Sequence, residues 1–231
     1  MALGAICLVA VTASAPATAK YETIKRIGVI SAIGDAFAVQ KIGFTVFGNE
    51  RKEFATESWK IDEFVVGKVR ATLAGRFDVR AVSYPKAAFL PSGGNIFTGP
   101  QIKVADAVRR VSPQGLDAYL VVTKWSSPFG TTNQSVSGLG IIDSSGLVTN
   151  VEVFTLYAIS VIDGHQFTSL GVAFPPQAGH FVTIHGPSRE VDKSWLPVSL
   201  DARANGKLKG AVTELLAQSL PATLQKLELT K

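Results

Sequence analysis

The 231-residue chain holds one cysteine and one methionine, and both fall within its first seven positions, as Cys7 and Met1. Everything after Cys7 must fold without disulfides, cysteine zinc clusters, thiol nucleophiles or iron–sulfur centres. A hydrophobic core alone has to hold it together. The absence of thiols and thioethers also suits an oxidising compartment, where neither mispairing nor sulfur oxidation can then occur.

The cysteine sits in an apolar run, residues 3–11 (LGAICLVAV), followed by Ala15-Pro16-Ala17-Thr18-Ala19 and then the polar Lys20-Tyr21-Glu22. A brief apolar stretch ending in small-x-small is the form that signal peptidase reads. The chain is therefore expected to be exported to the periplasm or beyond, cleaved after Ala19, with Lys20 as its mature start. The run is shorter than the ~20 residues that span a bilayer, so no membrane anchor is expected. Ile6 precedes Cys7 where lipoprotein processing wants a small residue, and no lipid anchor is expected either. Met1-Ala2-Leu3 carries none of the basic residues that usually open a leader. Two readings follow: a start upstream of Met1, or a buried N-terminal element.

Cleavage leaves about 210 residues, enough for one domain with a substantial core. A 46% hydrophobic and 18% charged composition describes a globular chain and not a disordered one. The net charge is +5, and basic residues gather between Lys68 and Arg110, whereas none occurs from Trp125 to Ser188. Lys68, Arg70, Arg109 and Arg110 are candidates for peripheral contact with an anionic membrane or glycan. Dispersed as they are, they also suit solvated helix surfaces. Nothing points to nucleic acid or to a cofactor.

Along the chain, residues 23–33 and 37–47 are rich in β-branched side chains and flank Gly34-Asp35, so they are expected to pair as a hairpin. Residues 48–57 are polar. Ser58 is the expected N-cap of a helix in which Ile61, Phe64, Val65, Val69 and Leu73 recur at helical spacing, with Gly75 at its end. A strand at 77–82, a loop to Gly99 and a second helix at 101–111 follow. Residues 116–123 form the expected buried strand. Residues 126–146 are rich in Ser, Thr and Gly and are expected to form a loop or projecting hairpin. A long strand at 147–162 turns at Asp163-Gly164 into a partner at 166–173. Residues 175–197 are irregular, and an amphipathic helix begins near Asp201, with Pro221 expected to kink it. The order ββαβαββββα gives one α+β domain over residues 20–231, a mainly antiparallel sheet with two to three helices packed on it.

The chemistry-bearing residues are few. His165, His180 and His185 lie close in sequence, with Asp163 nearby, as candidate metal ligands or members of a hydrolase site. They show no recognised ligand spacing, and hairpin-surface histidines are the simpler explanation. Gly138-Leu139-Gly140 starts like a dinucleotide loop but lacks the third glycine and the following helix. Ser83-Tyr84-Pro85-Lys86 has the Ser-x-x-Lys spacing of penicillin-recognising enzymes, but Pro85 breaks the helical turn such a pair needs, and the partner motifs are absent. Asp62-Glu63 complements the dipole at a helix start. Trp59, Trp125 and Trp195 offer stacking surfaces for sugars, though packing is the commoner use of tryptophan.

The helix at 58–74, the strand at 77–82, a short helix, and then Gly115-Leu116-Asp117-Ala118-Tyr119-Leu120-Val121-Val122 before a long hairpin form an arrangement of elements. It is similar to bacterial envelope proteins of the curli-assembly lipoprotein, penicillin-binding-protein activator and TolB N-terminal type. The similarity spans roughly residues 24–173, rests on element order, and transfers no functional residue. It implies a non-enzymatic envelope protein that binds another envelope component or assembles with itself. The expected partner surface is the 126–146 projection, with Phe129, Val136, Leu139 and Ile141, plus an exposed sheet edge. The alternatives are a metal-binding protein or hydrolase using the histidines, or a small-ligand carrier.

Overall fold

The structure, a computed structural model, describes residues 21–43, 49–90, 103–111, 114–130, 134–144, 150–177, 184–197 and 202–230. The elements are β1 (Arg26–Ala32), β2 (Ala36–Lys41), β3 (Glu50–Ala55), α1 (Ile61–Leu73), β4 (Asp78–Ala81), α2 (Val104–Val111), β5 (Ala118–Lys124), β6 (Ser126–Pro128), β7 (Ser135–Asp143), β8 (Val151–Asp163), β9 (Ser169–Ala173), β10 (Ser188–Glu190) and α3 (Ala202–Lys226). The expected leader, residues 1–19, lies outside the described residues. The fold is α+β, as expected, with one mixed sheet in the order β3-β2-β7-β8-β5-β1-β4.

The sheet is organised along β8, whose 13 residues are almost all buried. One half of β8 pairs with β5 and β9, the other with β7 and β10. β5 and β7 are successive lengths of one edge. Where β5 leaves, the Trp125 amide donates to the Leu156 carbonyl, and the Trp125 carbonyl accepts from the Gly138 amide that opens the β7 pairing. The chain makes an excursion between the two, as a β6–β7 hairpin.

β1 and β2 are arranged in the same way. β1 is parallel to β5 and β2 is parallel to β7, so both run opposite to β8 and the chain keeps its direction through Gly34-Asp35. The expected β1–β2 hairpin does not form. A Cβ on Gly34 would stand 2.7 Å from that of Ile61, so the glycine admits the start of α1 and does not serve a reversal. β2 pairs instead with β3, a strand of ERKEFA whose charge hid it among polar residues.

Side chains alternate across the strands, and each face meets its own cover. Ile27 and Val29, Leu120 and Val122, Ile159 and Val161 pack under α1 and α3. On the other face Ile30, Tyr119, Val121 and Ile162 pack under α2 and Phe89. The third cluster, around Ile42, Ile142, Phe154 and Leu156, is covered by Phe129 and Val136 of the hairpin and by Ile184. The described residues of the hairpin, 126–130 and 134–137, therefore lie back on the sheet at Phe129 and Val136.

Other expectations shift locally. α1 starts at Ile61, with Lys60 as its N-cap at φ 53°, while Ser58 lies in a short 3-10 turn. A short strand, β10, occurs within the region expected to be irregular. α3 continues through Pro221 to Lys226.

Candidate functional site

α1 and the loop after β4 enclose a cleft of about 570 Å³ at the carboxyl ends of β1 and β4. Its closed end is built around Asp62. This carboxylate, 8% exposed, turns inward from the first turn of α1. Its Oδ1 accepts from the Ser31 hydroxyl at 2.7 Å, the Ile33 amide at 2.9 Å and the Gly34 amide at 3.2 Å. Its Oδ2 is ion-paired with Lys86. Tyr84 completes the group: its hydroxyl donates to the Ser31 carbonyl at 2.7 Å and receives the Ser31 amide at 3.1 Å. Burial pushes the Tyr84 hydroxyl pKa up, partly offset by its bond to the Ser31 backbone.

The chemistry of this group is anchoring. Ser31 is fully buried and its hydroxyl is committed to Asp62, so it is not an exposed nucleophile. A buried carboxylate needs such compensation, because an ionised group removed from water is stabilised only by donors and counter-charges. Lys86 and Tyr84 belong to the Ser83–Lys86 segment considered for Ser-x-x-Lys chemistry. Here they brace the end of β1 instead. Asp62 was expected only to complement the helix dipole, and its inward role had no local sequence signal because Ser31, Ile33 and Gly34 are about thirty residues distant.

A second surface lies along β9. Among the described residues the exposed large hydrophobics are Val172, at 51%, and Phe174, at 41%. Phe174 stacks on Trp125 with ring centroids 4.7 Å apart. β9 pairs only with β8 among the described strands. Its sequence, SLGVA, carries no charge, unlike those of β3, β4 and β10. Lys226 of α3 donates to the Phe174 carbonyl at 3.1 Å, where the strand ends.

The other candidate residues are dispersed. His165 is exposed, and Asp163 accepts from the His165 and Gln166 amides, which makes it a turn former. His185 bonds Gln177 at 3.2 Å beside the opposite half of β8, roughly 25 Å away at about 3.3 Å per strand residue. His180 lies outside the described residues. Among those described, no three His, Cys, Asp or Glu side chains are placed to hold a metal.

Phe129, Val136, Leu139 and Ile141 are buried at 2% exposure or less. They are core residues and present no surface to a partner. Lys68 and Arg70 are on α1 and Arg109 and Arg110 on α2, on opposite faces of the sheet, so they do not form one basic face. Trp59 is buried against Phe37, and Trp195 lies near Arg189 and Lys207. Among the described residues no helix is long and apolar enough to cross a membrane.

No family profile matches the chain, and no curated protein sequence matches it. Among solved structures it is similar to a DUF330-family protein from Xanthomonas campestris, at 11% identity over 89% of this chain and 84% of the other, with a TM-score of 0.39. It is also similar to the PelC dodecamer from Paraburkholderia phytofirmans, at 14% identity over 84% and 88% of the two chains, with a TM-score of 0.26. At these scores neither likeness bears on what the chain does.

Proposed function

We propose that the chain is an exported, non-enzymatic binding protein of the bacterial cell envelope that recognises a protein partner through the β9 edge. The observation that carries this reading is the exposure of Val172 on uncharged β9 and of Phe174 just beyond its end, on a strand that pairs on one side only among the described strands. Exposed apolar groups on an unprotected edge favour association, which is why free edges elsewhere usually carry charge or proline. The apolar run of residues 3–11 and the small-x-small sequence ending at Ala19 support export. The Asp62 group, being fully engaged in bracing β1, supports a structural role for the one buried carboxylate cluster in the cleft.

The test is site-specific photo-crosslinking in the producing cell, with the photoreactive residue at position 172, at 174, or at exposed Gln166 on the β8–β9 turn as control. Discrete adducts at 172 and 174 that are missing at 166 are expected, and their masses distinguish a second copy from another protein. Identical products at all three positions, or none, would overturn the reading.

A further inference from the structure

We infer that the cleft between α1 and β4 is a binding groove for an extended peptide segment, which adds as a strand to the free edge of β4 and places an acidic side chain against Arg70. The inference does not depend on the β9 surface.

β4 ends the sheet order beside β1. The Asp78 amide donates to the Lys25 carbonyl at 2.8 Å, so Asp78 and Arg80 direct their backbone groups at β1. The N–H and C=O of one strand residue project to the same side, and the side alternates along the strand. Val79 and Ala81 therefore present both groups outward, a pair of docking points at strand spacing. Asp78 and Arg80 pair with each other as exposed side chains, a charge device that keeps the edge soluble without capping those backbone groups.

α1 packs over β1 and against α3, which leaves the strip beside β4 uncovered by the other described helices and strands. The helix side that borders it carries Glu63, Val66, Gly67 and Arg70, spaced to fall on one face. Gly67 has open space where a Cβ would stand, which leaves room for a small apolar side chain beside Val66. Arg70 is exposed and forms no ion pair with another described residue. A carboxylate on the incoming segment suits it, since guanidinium–carboxylate pairing is directional and charge-assisted. Glu63, at the other end of the same row, disfavours an acidic residue there, so the charges also set the direction in which the peptide lies. A strand held by backbone bonds on one side, with alternate side chains in pockets beside a helix, is a common way of recognising extended peptides.

The probe is a displayed library of random decapeptides selected against the purified protein. Three variants accompany it. Gly67→Leu fills the open strip of the groove, Ala81→Pro removes one outward amide at an edge position where proline is tolerated, and Arg70→Glu reverses the charge. Each should keep the parent's circular dichroism spectrum, with the thermal midpoint raised by G67L, which removes a glycine from a helix interior, and little changed in the other two. Enriched peptides carrying Asp or Glu are expected, with binding weakened at least about tenfold by G67L and by A81P. R70E should turn the preference to Lys or Arg; as a solvent-facing change, it tests the groove even where one of the other variants fails to fold. Selection that enriches nothing, or peptides whose affinity is unchanged in the folded variants, overturns the inference. So does a concentration-dependent dimer that G67L abolishes, which would give the groove to a second copy of this chain.

Discussion

Asp117 ties two strand starts together. Its Oδ2 accepts from the Lys25 and Arg26 amides at 3.0 and 2.8 Å, and its Oδ1 pairs with the Arg26 guanidinium at 3.1 Å. The Arg26 backbone donor holds this carboxyl below the usual aspartate range; desolvation opposes it, and the Lys25 amide and the Arg26 side chain add to the lowering. A depressed acid contributes stability above its unfolded pKa of about 3.9 and loses it as the pH falls through the lower folded value. Asp117→Asn should therefore cost about 1 kcal/mol at pH 7, an amount limited by solvent around the pair. The difference from the parent should shrink steadily below about pH 4. Urea midpoints at pH 7, 4 and 2.5 measure it, and an undiminished gap at pH 2.5 would show that ionisation is not the source. A different solution appears at Tyr157, whose hydroxyl bonds Ser219 and Thr223 of α3 at 2.8 and 3.2 Å. Burial there pushes its pKa up to about 12, so it stays neutral and serves as a polar pin in an apolar interface.

Among the elements, α3 shows how far local propensity departs from what tertiary packing enforces. Leu208, Val212, Leu216, Leu220 and Leu224 are fully buried against the sheet, and that stripe was plain at helical spacing. It carries the helix through Pro221, where the missing amide alone argued for a break. On its outer side Gly210 has open space at the Cβ position. Gly210→Ala should raise stability by about 0.5–1 kcal/mol through reduced backbone entropy in the unfolded chain. Urea midpoints should rise with an unchanged denaturant slope. Strands were legible where burial was strong: β5 and β8 stood out as long apolar runs, and the α+β class followed from them. β3 was not, because an exposed edge strand needs no apolar side chains to join a ladder. The β1–β2 direction was hidden too, since Gly-Asp marks a turn by composition while only the distant partners β5 and β7 determine whether the chain reverses. The same blindness affected the site. Serine- and glycine-rich sequence around residues 126–146 suggested a projection, yet Val136 and Leu139 are core, so deleting this stretch would remove β6 and β7 along with any loop. The Val172–Phe174 patch left no mark in composition, because exposure of a few apolar side chains on a strand is set by what the fold leaves uncovered.

At the scale of the whole molecule, β8 joins the two halves of the sheet, and the three apolar clusters all draw on it. The halves should therefore lose structure together. In native-state hydrogen exchange, the amides of Val153 and Val161, one in each half, should both open with the global unfolding free energy. A β10-side opening free energy well below that of the β9 side would instead describe two separable units. The pairing of β1 has a further consequence, in time. Its two neighbours are both parallel, and the second, β5, is tied to it by contacts such as Lys25–Asp117, 92 residues apart. Parallel partners cannot be supplied by a tight turn, and closing so long a stretch of chain is slow. Until residue 118 arrives, Ile27, Val29 and Ile30 have no finished surface to cover them. A chain emerging from its start must keep this first apolar strand waiting longest, so refolding from dilute urea should be slow and yield should fall as protein concentration rises. For such a chain the hazardous interval precedes the native state, and a holding factor would protect it most during synthesis and passage.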